Sequence, residues 1–315
     1  MIVGIDISKA SFDAVWSVGE VRHHQSLAYT VDGMAELLAK TSADAHYVME
    51  STGVYHSRLA LALYEAGRRV TVLNPLVVRR YAQMQLSRVK SDKADAELLR
   101  SYGEQHALTP WQPDAAEIVE LQQAHSWLDD LVCARTQLVN RQEAARHQPR
   151  PSAFVAKQMT AQRKQLEQQI KVCEQHLEVL VKKSFSGLYA RLLSIPSLGP
   201  RTAMELIIIT AGFSRFADIK ALGAYIGVSP TTLRSGTSVK GQGSIAKLGQ
   251  GRMRQLLYLC SWTAKRCNPA CRALHARMKA AGKPPKVINI AIAHKLLRQA
   301  FAVAQHNTTF SPEYA

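Results

Sequence analysis

Ile2-Val3-Gly4-Ile5-Asp6 and, shortly after, Phe12-Asp13-Ala14-Val15-Trp16-Ser17-Val18 open the chain. Both runs are short, rich in β-branched and aromatic residues, and separated by a tight connection, so they read as paired strands. Val21–Tyr29 offers a third. Beyond it the pattern changes. Asp32–Lys40 has helical spacing, and His46–Glu50 is a short apolar run ending in an acid. Ser57–Ala66 is helical and closed by Gly67, and Val70–Asn74 is a strand halted by Pro75. Val77–Gln85 and Asp92–Glu104 read as two further helices. Strands first and strand–helix alternation afterwards predict an α/β domain with a mixed sheet over residues 1–110.

Residues 115–183 differ: they hold no glycine, and their only prolines are Pro149 and Pro151. Leu166, Ile170, Cys173, Leu177 and Leu180 follow one another at 4-3-4-3 spacing, the a/d seam of a coiled coil. Ile118, Leu121, Leu128, Leu131 and Leu138 make a less regular stripe upstream. The expectation is an antiparallel helical hairpin over 111–183, turning near Gln148–Pro151, with a seam that a second subunit could share. Residues 184–315 predict a mainly helical domain. Leu193–Ala211 reads helix, turn, helix, and Ser229–Gly251 is a loop region rich in Gly, Ser, Thr and Lys. Helices follow at Met253–Ala264 and Val287–Ala304, the last setting Ile290, Ala291, Leu297 and Phe301 on one face.

Charge divides the 315 residues more sharply still. Lys and Arg number 40 against 24 Asp and Glu, a formal net charge of +16. Residues 1–110 hold 12 bases and 12 acids, residues 111–183 hold 10 and 9, and residues 184–315 hold 18 and 3. A neutral first third and a basic last third predict chemistry at one end and a grip on a polyanion at the other. Five cysteines in a chain this long make no disulfide framework. Asp6 interrupts the first apolar run, and runs such as Leu59–Tyr64 are too short to span a bilayer, so a soluble cytoplasmic protein without a membrane partner is expected.

Four acids stand out. Asp6 ends an apolar strand, where a carboxylate is costly unless paired or bound to a cation. Glu50 ends another and precedes Ser51-Thr52-Gly53. Asp92 and Asp95, three apart, share one face at a helix start, where capping (Asp92 as N-cap, Asp95 at the third position) is a sufficient reason for both. Together they mean more, because strand ends and an abutting helix converge in an α/β sheet. Carboxylates gathered at one point call for divalent cations, and a two-metal site stabilises both oxygens of a phosphoryl displacement.

Met1-Ile2-Val3-Gly4-Ile5-Asp6-Ile7-Ser8-Lys9, Met49-Glu50-Ser51-Thr52-Gly53-Val54-Tyr55, Asn74-Pro75 and Lys90-Ser91-Asp92-Lys93-Ala94-Asp95-Ala96 resemble, in order and spacing, the DEDD-type insertion-sequence transposases. That family includes Piv-type DNA invertases and bridge-RNA-guided recombinases. Ser194-Ile195-Pro196-Ser197-Leu198-Gly199-Pro200-Arg201-Thr202-Ala203 resembles its helix–hairpin–helix. Leu222–Pro230, Ser235–Gly241 and Leu256-Leu257-Tyr258 resemble its transposase domain. The resemblance implies a RuvC-like (RNase H-type) fold for 1–110. It implies a metal-binding tetrad of Asp6, Glu50, Asp92 and Asp95 with Mg²⁺ or Mn²⁺, two ions, and Ser235 as a nucleophile. It further implies DNA as substrate, a structured guide RNA and assembly of several protomers.

On residues alone, Ser235 cannot be chosen over Ser238 or Ser244. Gly199, opening a helix beside Arg201, is a natural phosphate contact. Arg234, Lys240, Lys247, Arg252 and Arg254 add positive charge around the glycine-rich region. Cys267, Cys271 and His275 lack a fourth zinc ligand, and His294 reads as a core histidine. The rivals are a RuvC-type junction nuclease using water, an actin-like ATPase suggested by Gly4-Ile5-Asp6, and a non-catalytic nucleic-acid-binding protein.

Overall fold

The computed structural model describes residues 1–51, 53–86, 91–229, 234–235, 239–240, 245 and 249–312. The chain forms two compact units, Met1–Pro113 and Asp114–Ala315.

In the first unit β1 (Ile2–Ile7), β2 (Ser11–Val18) and β3 (Val21–Ala28) form an antiparallel meander. Gly19, with φ of +60°, supplies the left-handed conformation that the two-residue turn between β2 and β3 needs. Then come α1 (Val31–Lys40), β4 (His46–Glu50), α2 (Tyr55–Glu65), β5 (Arg69–Leu73), α3 (Pro75–Met84) and α4 (Asp92–Gln105). The sheet order is β3-β2-β1-β4-β5, with β4 parallel to both β1 and β5. This is the mixed sheet that the residue pattern predicts.

Side chains alternate across the sheet. Val3, Ile5, Tyr47 and Met49 point to a core shared with Leu37, Leu59 and Leu63. Gly4 and Val48 point the other way, onto α4, where Val48 packs with Leu99. Three helices start on side-chain caps. Thr30 accepts from the Gly33 N–H, Asn74 from Leu76 with Pro75 at the first helical position, and Ser91 from Ala94.

The second unit begins with α5 (Ala116–Arg146) and α6 (Ala153–Leu193), packed antiparallel. Ile118, Leu121, Leu128, Leu131 and Leu138 are buried as their stripe predicts. On α6 the buried line runs Ile170, Cys173, Leu177, Val181, so the seam drifts by one residue from the expected Leu180. A straight α-helix turns 3.6 residues rather than 3.5, and that drift is its consequence. Phe185 (φ −135°, ψ 27°) breaks the helical geometry of α6.

Beyond it lie α7 (Pro200–Thr210), α8 (Ile219–Ile226), a two-residue ladder of β6 (Arg234–Ser235) with β7 (Val239–Lys240), α9 (Gly251–Cys267), α10 (Pro269–Ala280) and α11 (Pro285–His306). One hydrophobic core runs from Leu121 and Leu177 of the hairpin through Leu206 and Leu257 to Leu296. The α11 face that fills it is Ile288, Ile292, Leu296 and Ala300. The four residues read as one face divide: Leu297 is buried and Phe301 packs on the core, whereas Ile290 and Ala291 line an open groove. By length and composition α11 could cross a membrane, the one such helix among the described residues, but half of its apolar window is buried in this core.

Candidate active site

Asp6 stands near the end of β1 and Glu50 is the last residue of β4, its parallel neighbour. Two residues beyond Gly4 and Val48 respectively, both lie on the α4 side of the sheet. Asp92 and Asp95 occupy the first turn of α4. The sequence allowed Asp92 to be the N-cap. Instead Ser91 caps the helix, its hydroxyl accepting from Ala94 at 3.2 Å. Asp92 and Asp95 are therefore at the first and fourth helical positions, and neither carboxylate caps the helix.

What brings the helix to the strands is Gly4. A Cβ there would lie 2.1 Å from the Ala96 carbonyl oxygen and 2.4 Å from the Arg100 nitrogen. At Gly103 a Cβ would meet Ile2 Cγ2 at 2.8 Å and Val48 Cγ2 at 3.0 Å. Two glycines, one on each element, thus let α4 lie directly on the sheet, with its acidic first turn at the carboxyl ends of β1 and β4.

The electrostatics record the convergence. Burial first, then the charges of Asp95, Asp92 and Glu50, push the Asp6 carboxyl up to about 6, against a pull from the Ile7 backbone. The Glu50 carboxyl is raised by burial and then by Asp95. Among the described residues no three His, Cys, Asp or Glu side chains close on a point tightly enough to grip an ion as they stand. The donor chemistry does fit a hard divalent cation: every candidate ligand is a carboxylate, and each acidic charge acting on Asp6 is one that a cation offsets.

Two neighbours escaped the sequence reading. Asp13 lies directly across from Asp6 in the β1–β2 ladder and is buried. His24 Nε2 is 2.6 Å from its Oδ1, and the Ser26 hydroxyl donates to its Oδ2 at 3.3 Å. Asp13 sits in an apolar strand as Asp6 does, and the same signal would have found it. Arg100, buried in the third turn of α4, is clamped by Glu97 and Glu104. Its i, i+3 and i, i+4 acids were visible in the sequence.

The remaining predicted residues lie in the second unit. Arg234, Ser235 and Lys240 are in the β6–β7 ladder, with Arg234 opposite Lys240 and Ser235 opposite Val239. Lys247 lies outside the described residues. Gly199 is the N-cap of α7, with no side chain capping it, and Arg201 pairs with Glu174 at 3.8 Å. Arg254 donates to the Ile226 carbonyl at 2.9 Å and lines the open groove. Arg252 is turned inward. It pairs with Asp129 and, at 3.4 Å, with Glu205, which is 4% exposed and also bound by His125 at 2.7 Å. Cys271 is buried and Cys267 exposed, and all five cysteines are free. His294 lines the groove, its pKa lowered by burial and by Arg298.

An acidic cluster at the ends of parallel strands, in a chain whose other unit is strongly basic, points to a class: enzymes that act on nucleic-acid strands. The comparisons specify it. A DEDD-type transposase family model matches residues 3–148, and that of the transposase IS116/IS110/IS902 family matches residues 189–276. The chain is 29% identical to the pilin gene-inverting protein of Moraxella lacunata over 321 aligned positions, covering 98% of this chain and 97% of the relative. The Moraxella bovis protein of that name matches equally. A 43.6 kDa insertion-element IS110 protein of Streptomyces coelicolor is 28% identical over 38% of this chain and 29% of its own. The chain belongs to this transposase family. It is a DNA recombinase, its substrate is DNA, and its family points to dependence on a divalent metal.

Proposed function

We propose that the first unit is a RuvC-like, RNase H-type catalytic domain in which Asp6, Glu50, Asp92 and Asp95 hold two Mg²⁺ or Mn²⁺ ions, with Ser235 as the nucleophile. The observation that carries this is the convergence of four carboxylates from β1, β4 and α4 on one face of the sheet, where burial and then the charges of Asp95, Asp92 and Glu50 lift the Asp6 pKa to about 6. The strand order β3-β2-β1-β4-β5, three antiparallel strands and then two parallel ones, supports the fold assignment. Bound metal would supply Lewis-acid stabilisation of the attacking and leaving oxygens.

The chain's own residues do the rest. The Ser235 Oγ forms a bond to the scissile phosphorus while the bond from phosphorus to one deoxyribose oxygen breaks. The hydroxyl proton passes through water to the freed sugar oxygen. One ester replaces another, so no co-reactant is consumed, and rejoining is the same exchange with a different strand. Gly199, Arg201, Arg234, Lys240, Lys247 and Arg254 would hold the backbone phosphates. The inward pairing of Arg252 speaks for a structural duty in place of the predicted phosphate contact. Exposed apolar residues off the hairpin seam, among them Val119, Trp127 and Val172, support a coiled-coil contact between protomers. A guide RNA encoded by the element rests on the family resemblance alone.

A DNA substrate that traps cleaved ends tests the reading. Wild-type protein with Mg²⁺ should leave a DNA-linked species on a denaturing gel. Ser235→Ala and each tetrad variant should leave none, and Ser238→Ala should still leave it. Cut DNA without any adduct would make water the nucleophile, as in a junction nuclease. An adduct formed by Ser235→Ala would move the chemistry to another residue.

A further inference from the structure

Between α9, α10 and α11 lies an open groove with a volume of about 1240 Å³. Its floor is apolar: Tyr258, Leu274, Met278, Val287 and Ile290 line it. Its rim is cationic, with Arg254, Arg277, Lys286, Lys295 and Arg298 around it and no Asp or Glu among the described lining residues. Tyr258 meets Trp262, one turn on, edge to face at 6.5 Å. Trp262 is 53% exposed, and Lys265 stands 5.2 Å above its ring. The aromatic residues look scattered in the sequence, but the helix brings these two onto one face at i, i+4.

A duplex has no use for this combination. It presents phosphates outward and hides its base faces, so a rim of charge would suffice and an apolar floor would stay wet. An unpaired strand offers both parts: base faces for apolar and aromatic surface, phosphates for the rim. A DNA recombinase makes such strands whenever duplex DNA is opened between cutting and rejoining. We propose that this groove binds an unpaired DNA strand, bases on the Tyr258–Met278–Ile290 floor and phosphates on the Arg277–Lys286–Arg298 rim. The inference rests on the recombinase reading for the source of the strand. It is independent of the tetrad and of Ser235.

The test uses full-length protein and a labelled 20-nucleotide single strand, the matching blunt duplex and an RNA of the same sequence, read by fluorescence anisotropy. Ala273 and Val287 both line the groove and are exposed, so Ala273→Glu with Val287→Glu charges the floor without touching the core. Single-strand affinity should fall at least tenfold and duplex affinity less than threefold. Wild-type protein photocrosslinked to a 5-iodouracil strand should be modified at Tyr258, Trp262 or a neighbour on α10 or α11, a readout that needs no variant. Equal losses for single strand and duplex would reduce the groove to a general phosphate surface. Crosslinks confined to other elements, tenfold tighter binding of the RNA, or a variant that binds DNA normally but loses self-association would each overturn the proposal. Because strand cleavage is assayed separately on duplex substrate, an inactive tetrad with intact groove binding, or the converse, tells the two readings apart.

Discussion

In the N-terminal unit every acidic charge that acts on Asp6 raises its pKa, whereas in the C-terminal unit Glu205 is spent on His125 and Arg252, Asp114 on Arg215 and Glu174 on Arg201. One unit concentrates like charge at a point. The other pairs off these acids and leaves base in excess, 28 against 12 over residues 114–315. Concentrated like charge costs folding free energy and makes sense where a cation is to be drawn in. Dispersed excess charge costs little in high dielectric and serves to hold a polyanion. The difference separates chemistry from grip, and it can be attacked at several points.

The largest effect is expected at the tetrad. Asp6→Asn, Glu50→Gln, Asp92→Asn and Asp95→Asn should each lower strand cleavage by about 10⁴-fold or more, as losing a member of a catalytic unit does. DNA affinity should change by no more than a few fold. Gel-based cleavage and anisotropy on the same preparations measure both. Affinity and cleavage falling together would merge the two tasks that the charge distribution divides.

Next comes Glu205. Its carboxylate is buried between His125 on α5 and Arg252 on α9, and Glu205→Ala takes one of its two carboxylate partners from a half-buried guanidinium, which keeps Asp129. The expected cost is about 2 kcal/mol in chemical denaturation. Replacing Arg252 as well should recover part of it, since the second change removes the guanidinium that has lost one of its two partners. Arg252→Ala alone should weaken DNA binding far less than the rim change Arg298→Ala relative to its effect on stability. A larger affinity loss at Arg252 would return that residue to the DNA-binding surface predicted for it.

Gly4→Ala acts on the first unit through packing. The new methyl falls on the Ala96 carbonyl, so α4 must lift from the sheet. Overpacking of this kind costs about 1–3 kcal/mol. It also displaces the first turn carrying Asp92 and Asp95, and a shift of about 1 Å is worth roughly 10²-fold in rate. Gly199, which caps α7 with open space around its Cβ position, is the control in the other unit: Gly199→Ala should change the melting temperature by only a degree or two. Full cleavage by Gly4→Ala would mean that the catalytic geometry does not depend on that contact.

The same contrast explains what the sequence made legible. Ile2–Ile7, His46–Glu50 and Arg69–Leu73 are short apolar runs in a unit whose sheet needs them, and their ends could be read to within a residue or two. The four acids could be read as a group because strand ends converge by topology. What stayed hidden depends on three-dimensional neighbours. Asp13 carries the same signal as Asp6, an acid in an apolar strand, but only the β1–β2 register places it opposite Asp6. Ser91 rather than Asp92 caps α4, a difference of one residue that two adjacent capping residues leave open. Arg252 looks like its neighbour Arg254, and only the packing of α5, α7 and α9 turns it inward. On α11 apolar residues surround the helix, so periodicity does not choose between the core face and the groove face that carries Ile290.

The smallest effect is the most direct measure of the charge concentrated at the site. In metal-free protein the Asp6 carboxyl has a pKa of about 6 against an ordinary 3.8. The folded state therefore holds this proton more tightly than the unfolded one. Stability from this group is fully present below about pH 4 and is lost as pH rises through 6. A shift of that size in a fully desolvated group would be worth about 3 kcal/mol. Asp6 is only partly buried, and solvent screening reduces the expected figure to about 1 kcal/mol. Asp6→Asn, which cannot ionise, should match the wild type at pH 4 in chelator and exceed it by about 1 kcal/mol at pH 7.5, where the wild-type carboxylate is charged among its acidic neighbours. Adding Mg²⁺ at pH 7.5 should raise the melting temperature of the wild type and leave that of Asp6→Asn nearly unmoved. Denaturant melts at the two pH values, with and without the ion, provide the four numbers. A variant no more stable than the wild type at pH 7.5 would mean that neither burial nor the neighbouring carboxylates oppose the Asp6 charge in the folded protein, and the contrast between the two units would then lose its acidic half.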